Sequence, residues 1–445
     1  MGGYTNNKPS SQGWLGEVPE HWELVRLGGY FDERREKVSD TDFQALSVTK
    51  GGVVPQLETA AKTDAGDNRK KVCVGDFVIN SRSDRKGSSG LSTLEGSVSL
   101  ISTVLEPRGI DARYVHHLLR SYPFQEEFYR WGKGIVADLW STNYSEMKNI
   151  MIPLPSGYEQ TAIANFLDRE TARIDRLIER QERLIALLKE KRQAVISRAV
   201  TRGLDPTVPM KDSGVEWLGE VPGHWDVPRL KFRSVLQTGV AKGKNISPEE
   251  AVSVPYLRVA NVQDGYLDLT DVAEIEIHRD DLLRYSLRQG DVLMNEGGDF
   301  DKLGRGSLWN DEVSPCIHQN HVFAIRPTLI EPEWITTVTQ AAYSKFYFIL
   351  HSKQSTNLAS ISSSNIKNVP IVVPPPDERQ NILEYLATQS TKIDSLLLNA
   401  TDAIELLQER RTALISAAVT GKIDVRAHPS ARPLTDTEPT APESP

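Results

Sequence analysis

Arg82, Arg85, Lys86 and Ser88 fall in one Gly- and Ser-rich loop running from Ser81 to Gly90. A second such loop, Glu296 to Ser307, carries Lys302 and Arg305. Lys242 and Lys244 sit between the glycines and asparagine of Gly239 to Asn245, and His318-Gln319-Asn320 and Ser363 lie in two further polar runs. Guanidinium and ammonium groups pair with guanine edges and with phosphates, whereas carboxamides suit adenine. Loop glycines let a backbone approach a ligand closely. Cations and donors gathered in this way without a nucleophile and its base are equipped for holding a polyanion, and these residues are the candidates for DNA contact.

Motifs that would add catalysis break off early. Gly239-Val-Ala-Lys-Gly-Lys-Asn245 is one residue short of a phosphate loop and ends in Asn where Ser or Thr is required. Asp299-x-Asp301 opens like a calcium loop, but Leu303 stands at a ligand position and Asn310 at the closing Glu. The Asn- or Asp-Pro-Pro-Tyr or -Phe run with which adenine methyltransferases hold a flipped base does not occur. Cys73 and Cys316 are far apart and make neither a disulfide framework nor a zinc knuckle. These readings predict a chain with no catalytic residues, no metal site and no cofactor of its own.

Charge constrains how such a chain could hold DNA. The 52 basic and 60 acidic residues give a formal net charge of −8. By segment, basic and acidic residues number 19 and 20 in 1–158, 10 and 8 in 159–205, and 23 and 32 in 206–445. Phosphate contact must therefore use local clusters, or other subunits must contribute. No apolar run approaches the ~20 residues of a membrane span, and the polar start Met1 to Ser10 lacks a signal-peptide core. A cytoplasmic protein is expected.

The elements that position these loops are written twice. Trp14-Leu-Gly-Glu-Val-Pro-Glu-His-Trp22 returns at an offset of 203 as Trp217 to Trp225, with eight of nine residues identical. Residues 159–205 return without a gap as 378–424, at an offset of 219 and with 18 identities. Both copies of this second repeat have heptad spacing. Leu167, Ile174, Gln181, Leu188 and Val195 stand seven apart, with Ile178 and Ile185 on the alternate seam. The later copy has Leu386, Ile393, Ala400, Leu407 and Leu414, flanked by Leu397 and Ile404. Prolines precede each run, and Gly203 and Gly421 follow. Each predicts a helix of roughly 65–70 Å, too long to stand without a partner for its apolar stripe. The other copy is the partner. His21 and His224, between apolar neighbours, read as packing or capping residues. If the halves share one plan, the N-terminus packs near Thr420 to Asp424.

Between the repeats the two halves share few landmarks. Gly75-Asp76-Phe-Val-Ile-Asn80 and Gly290-Asp291-Val-Leu-Met-Asn295 each read as a turn feeding a buried strand. Val98 to Leu105 and His321 to Ile325 suggest further strands, and Tyr114 to Arg130 and Trp334 to Leu350 suggest helix. Each middle region is mixed α and β.

The twofold opener, the Gly-Asp-(apolar)3-Asn landmarks and the ending Lys191-Arg-x-Ala-x-Ile-Ser-x-Ala-Val-Thr201, repeated at Arg410 to Thr420, resemble the specificity subunit of type I restriction–modification enzymes. The resemblance covers about residues 10–425. It implies an α+β chain with two mixed α/β target recognition domains, joined by two long antiparallel coiled-coil helices in an internal pseudo-twofold repeat. The corresponding boundaries are 1–155 and 206–376 for the recognition domains and 156–205 and 377–425 for the helical spacers. A disordered tail over 426–445 is read from its Pro, Thr, Glu and Ser content. In such a system each domain reads half of a split double-stranded DNA target. The helices dock two methyltransferase subunits, and endonuclease-translocase subunits join. S-adenosylmethionine, Mg and ATP belong to those partners. A reader for methylation without restriction, or a non-catalytic protein scaffold, is the alternative.

Overall fold

A computed structural model describes residues 2–57, 66–134, 140–241, 246–298, 303–354 and 359–432. The chain divides into two compact units: Met1–Glu182 with Thr401–Pro445, and Arg183–Ala400. This division cuts across the long helices, so each unit owns part of both. The reason is packing: the helix ends supply core to the sheets beside them.

In the first unit, strands β1 (Phe31–Glu33), β2 (Phe77–Asn80), β3 (Ser89–Leu91) and β4 (Ser102–Pro107) form an antiparallel sheet in the order β3-β2-β4-β1. Gly75, at φ +91°, makes the turn into β2, a conformation that glycine adopts without strain. Phe77, Val78 and Ile79 are buried. Helices α1 (Ala112–Arg120) and α2 (Tyr122–Arg130) follow where one helical stretch was expected. Ser121 separates them, taking extended φ/ψ while its hydroxyl accepts from Phe124 N. A short helix, α3 (Tyr144–Met147), then leads to the long α4 (Gly157–Arg202).

The second unit repeats this plan. Strands β5 (Ser234–Thr238), β6 (Val292–Asn295), β7 (Gly306–Leu308) and β8 (Val322–Pro327) stand in the order β5-β8-β6-β7. The central register is the same: Asn80 faces Ser102 and Phe77 faces Leu105, as Asn295 faces Val322 and Val292 faces Ile325. Helices α5 (Pro332–Gln340), α6 (Ala342–Leu350), the short α7 (Ser363–Lys367) and the long α8 (Pro376–Val419) complete it.

The heptad seams form as predicted. Leu167, Ile174, Leu188, Leu386 and Ile393 are buried, and Ile178, Ile185, Leu397, Ile404 and Leu407 are half-buried. Within the first unit, the start of α4 shares a core with the end of α8, through Phe166, Leu167, Ile415 and Ala418. Within the second, Ile196 and Val200 share a core with Ile382 and Leu386. The segments are therefore antiparallel in each unit. Gly203 and Gly421 terminate the helices at φ +71° and +74°.

The tail departs from expectation. Residues 426–432 pack on α4: the His428 ring lies edge-on to Phe166, with centroids 4.9 Å apart. Asn165 Nδ2 donates to the Ala431 carbonyl at 3.3 Å, and Ser430 Oγ to Glu170 at 2.9 Å. Composition missed this because one aromatic contact and a few backbone acceptors suffice to order so short a strap. The rest of the predicted tail, 433–445, lies outside the described residues.

Candidate nucleic-acid interface

The repeated opener anchors each frame. Glu159, on α4, has a side chain only 4% exposed and meets His21 Nε2 at 2.9 Å and Trp22 Nε1 at 3.3 Å. Glu378, on α8, meets His224 Nε2 at 2.7 Å and Trp225 Nε1 at 3.0 Å. Both histidines are structural, as their setting predicts. Burial works to raise the Glu159 carboxyl, but hydrogen bonds from His21, Ser156 and Trp22 outweigh it and hold the group below the usual carboxylate range. The N-terminus reaches the end of α8 as expected, with Asp424 N donating to the Gly2 carbonyl at 3.0 Å.

The landmark aspartates anchor the sheets. Asp76 accepts two hydrogen bonds from Arg34, at 2.8 and 3.0 Å, and Asp291 two from Arg326, both at 2.7 Å. Sheet register places Arg326 opposite Val235, as Glu106 stands opposite Asp32. The arginine thus comes from just past the end of the first strand in one unit and from within the last strand in the other.

On this frame the first loop forms a ridge between two clefts. Its Ser83–Arg85 turn has Arg82 on one side, in a cleft of about 510 Å3 with Glu33, Arg35, Lys70, Asn143 and Tyr144. Arg85 and Ser88 line the other, of about 590 Å3, with Lys50, Arg69 and Asp84. Each cleft holds three cations and one carboxylate, net +2, in a chain of net −8. Lys86 is drawn away: its ammonium pairs with Glu126 and lies 5.7 Å from the Tyr129 ring centre. Ser88 is mostly buried, with its backbone bonded to Asn80 and Arg85. No local signal marks Arg35, Lys70 or Asn143, because the fold brings them to the loop from separate segments of the chain.

In the second unit, Asn320 N donates to the Val240 carbonyl at 3.1 Å. Lys242, Lys244 and Lys302 lie outside the described residues. Arg305 returns beside Asn295 and donates to Gln263 Oε1 at 3.0 Å. Glu296 links to His321 at 2.5 Å, and its carbonyl accepts from Ile361 N at 2.8 Å, two residues before Ser363. His318 is corrected. Its ring is fully buried and bonds the Val322 carbonyl at 2.7 Å, and burial depresses its pKa, so it faces no ligand. Alternation along the strand turned it inward, which a polar run in sequence does not reveal.

No family model matches the chain. Among curated proteins, the type I restriction enzyme EcoKI specificity subunit of Escherichia coli is 25% identical over 436 residues, covering 92% of this chain and 90% of that protein. The StySPI specificity subunit of Salmonella potsdam is 23% identical over 363 residues, covering 80% and 76%. The solved HsdS subunit of Thermoanaerobacter tengcongensis matches 91% of this chain and 98% of its own, with a TM-score of 0.53 at 18% identity. A chain solved in work on assembly of the type I R-M system matches 90% and 98%, with a TM-score of 0.62 at 19% identity. In sequence and in fold the chain is similar to specificity subunits of type I restriction enzymes over about nine-tenths of its length. Among the described residues, no group of three or more His, Cys, Asp and Glu side chains is placed to hold a metal. Nor is any helix among them long and apolar enough to cross a membrane.

Proposed function

We propose that this chain reads a split DNA target and directs partner subunits to it, without catalysing a reaction itself. The observation that carries the reading is one frame built twice with divergent faces. Trp22 and Trp225, Glu159 and Glu378, and Asp76 and Asp291 hold equivalent places, while the loops they support differ in sequence. Different side chains on one scaffold give two half-sites of different sequence. The net +2 clefts supply local attraction for phosphate within an acidic chain.

The partners in this reading are two adenine-methyltransferase subunits and endonuclease-translocase subunits, acting in the cytoplasm. S-adenosylmethionine, Mg and ATP reside in them. The test is single-molecule mapping of methylated adenines in cells expressing the methyltransferase subunit, with and without this gene. A split motif with a fixed spacer, present only with the gene, is the expected result. An unchanged methylation pattern overturns the reading and leaves a protein scaffold in its place.

A further inference from the structure

The first unit's smaller cleft holds donors that are aimed into it but unengaged. The Arg82 backbone is fixed: its N–H donates to Asn80 Oδ1 at 3.1 Å, and it bridges Ser141 across an antiparallel pair. The guanidinium is not fixed, with Asp84 at 3.8 Å its nearest charged neighbour among the described residues. Thr142 points inward, its Oγ1 bonded to the Phe128 carbonyl at 2.8 Å, so alternation turns Ser141 and Asn143 outward into the cleft. Asn143 precedes α3 without capping it, which leaves its carboxamide exposed. Glu33 in the same cleft is already neutralised by Arg35 at 2.7 Å and Lys70 at 3.4 Å.

The second unit supplies an internal comparison. Gly297 pairs with Ser360 as Arg82 pairs with Ser141, and Ser362 precedes α7 as Asn143 precedes α3. Thus the serine in the ladder is kept, while the Arg and Asn beside it become Gly297 and Ser362. The positions that hold the frame are retained, and those that face the cleft are exchanged.

We propose that Arg82 and Asn143 are specificity-determining residues of the first recognition domain. Arg82 reads guanine through O6 and N7, and Asn143 reads adenine through N6 and N7, within the same half-site. This assignment rests on the DNA-reading function proposed above. A fixed backbone carrying a free fork is the arrangement in which little ordering cost remains when the base is engaged.

The experiment is adenine-methylation mapping with wild type, Arg82→Ala, Arg82→Lys, Asn143→Ala and the double variant Arg82→Gly/Asn143→Ser, each with its partner subunits. Wild type gives a split motif. Each single variant is expected to lower discrimination at one position of one half-site by about 10-fold, with the other half-site unchanged. Arg82→Lys keeps the charge but loses the bidentate fork, so it relaxes the same position as Arg82→Ala. If Arg82→Ala abolishes methylation, relaxation by Arg82→Lys still supports the assignment, and an unaltered motif with Arg82→Lys overturns it. Uniform weakening over all sequences marks a phosphate contact and also overturns it. A wild-type chain that yields no split motif defeats the underlying function, whereas a motif untouched by every variant defeats this assignment alone.

Discussion

Glu159 accepts from His21 Nε2, Trp22 Nε1 and Ser156 Oγ on a carboxylate almost closed to water. Glu159→Ala leaves the indole and imidazole donors without their acceptor, and is expected to cost about 2–3 kcal/mol in denaturant unfolding. The pH dependence has a definite sign. The folded carboxyl titrates below its ordinary value of about 4.3, so its contribution is complete above that value and fades as pH falls through the lower folded value. The stability gap between wild type and Glu159→Gln should therefore narrow in acid; a constant gap would refute this account. The aspartate anchors give a second test. Arg34→Gln strands the buried Asp76 carboxylate, at a cost of about 3 kcal/mol. Adding Glu106→Arg imports the second unit's arrangement and should recover more than half of that loss, as measured by unfolding midpoints.

The long helices are paired by reciprocal contacts. Arg192 reaches Asp394, and Arg411 reaches Asp175 at 2.9 Å. Because Arg192 and Arg411 are equivalent, as are Asp175 and Asp394, one contact is made twice with its partners exchanged. These pairs are part-exposed and set register more than stability, so Arg192→Ala should cost under about 1 kcal/mol. The seam is different. Ile174→Ala is expected to cost about 2–4 kcal/mol, because Ile174 is 4% exposed. Leu187→Ala, at a residue 46% exposed, should stay within about 0.5 kcal/mol. Equal effects at the two sites would contradict the pairing. The heptad spacing made this legible in advance; the break at Ser121 was not, since an apolar run does not report where a hydroxyl will cap.

At the scale of the whole chain, the strap 426–432 and the acidic balance carry consequences. Removing 426–445 loses the Phe166 and Glu170 contacts. At about 2–4 °C per kcal/mol for a unit of this size, the deletion should lower the transition measurably in calorimetry. Charge bears on assembly. With net −8 overall and net +2 in each cleft, the purified chain should bind DNA weakly and salt-sensitively, and the complex tightly. Fluorescence anisotropy across a salt series checks this; equally tight, specific binding by the chain alone would contradict it.

Sequence by itself determined the duplication, the two long helices and their seams, the strand landmarks and the absence of the sought catalytic motifs. Those features are periodic or local, so residue types at fixed spacing carry them. Only tertiary structure decided which polar residues face outward. It turned His318 into the core and tied Lys86 to Glu126. It also drew Arg35, Lys70 and Asn143 to Arg82 from three separate segments. Strand register and side-chain alternation decide residues such as His318, where a shift of one residue would reverse the facing, and loop packing decides Lys86.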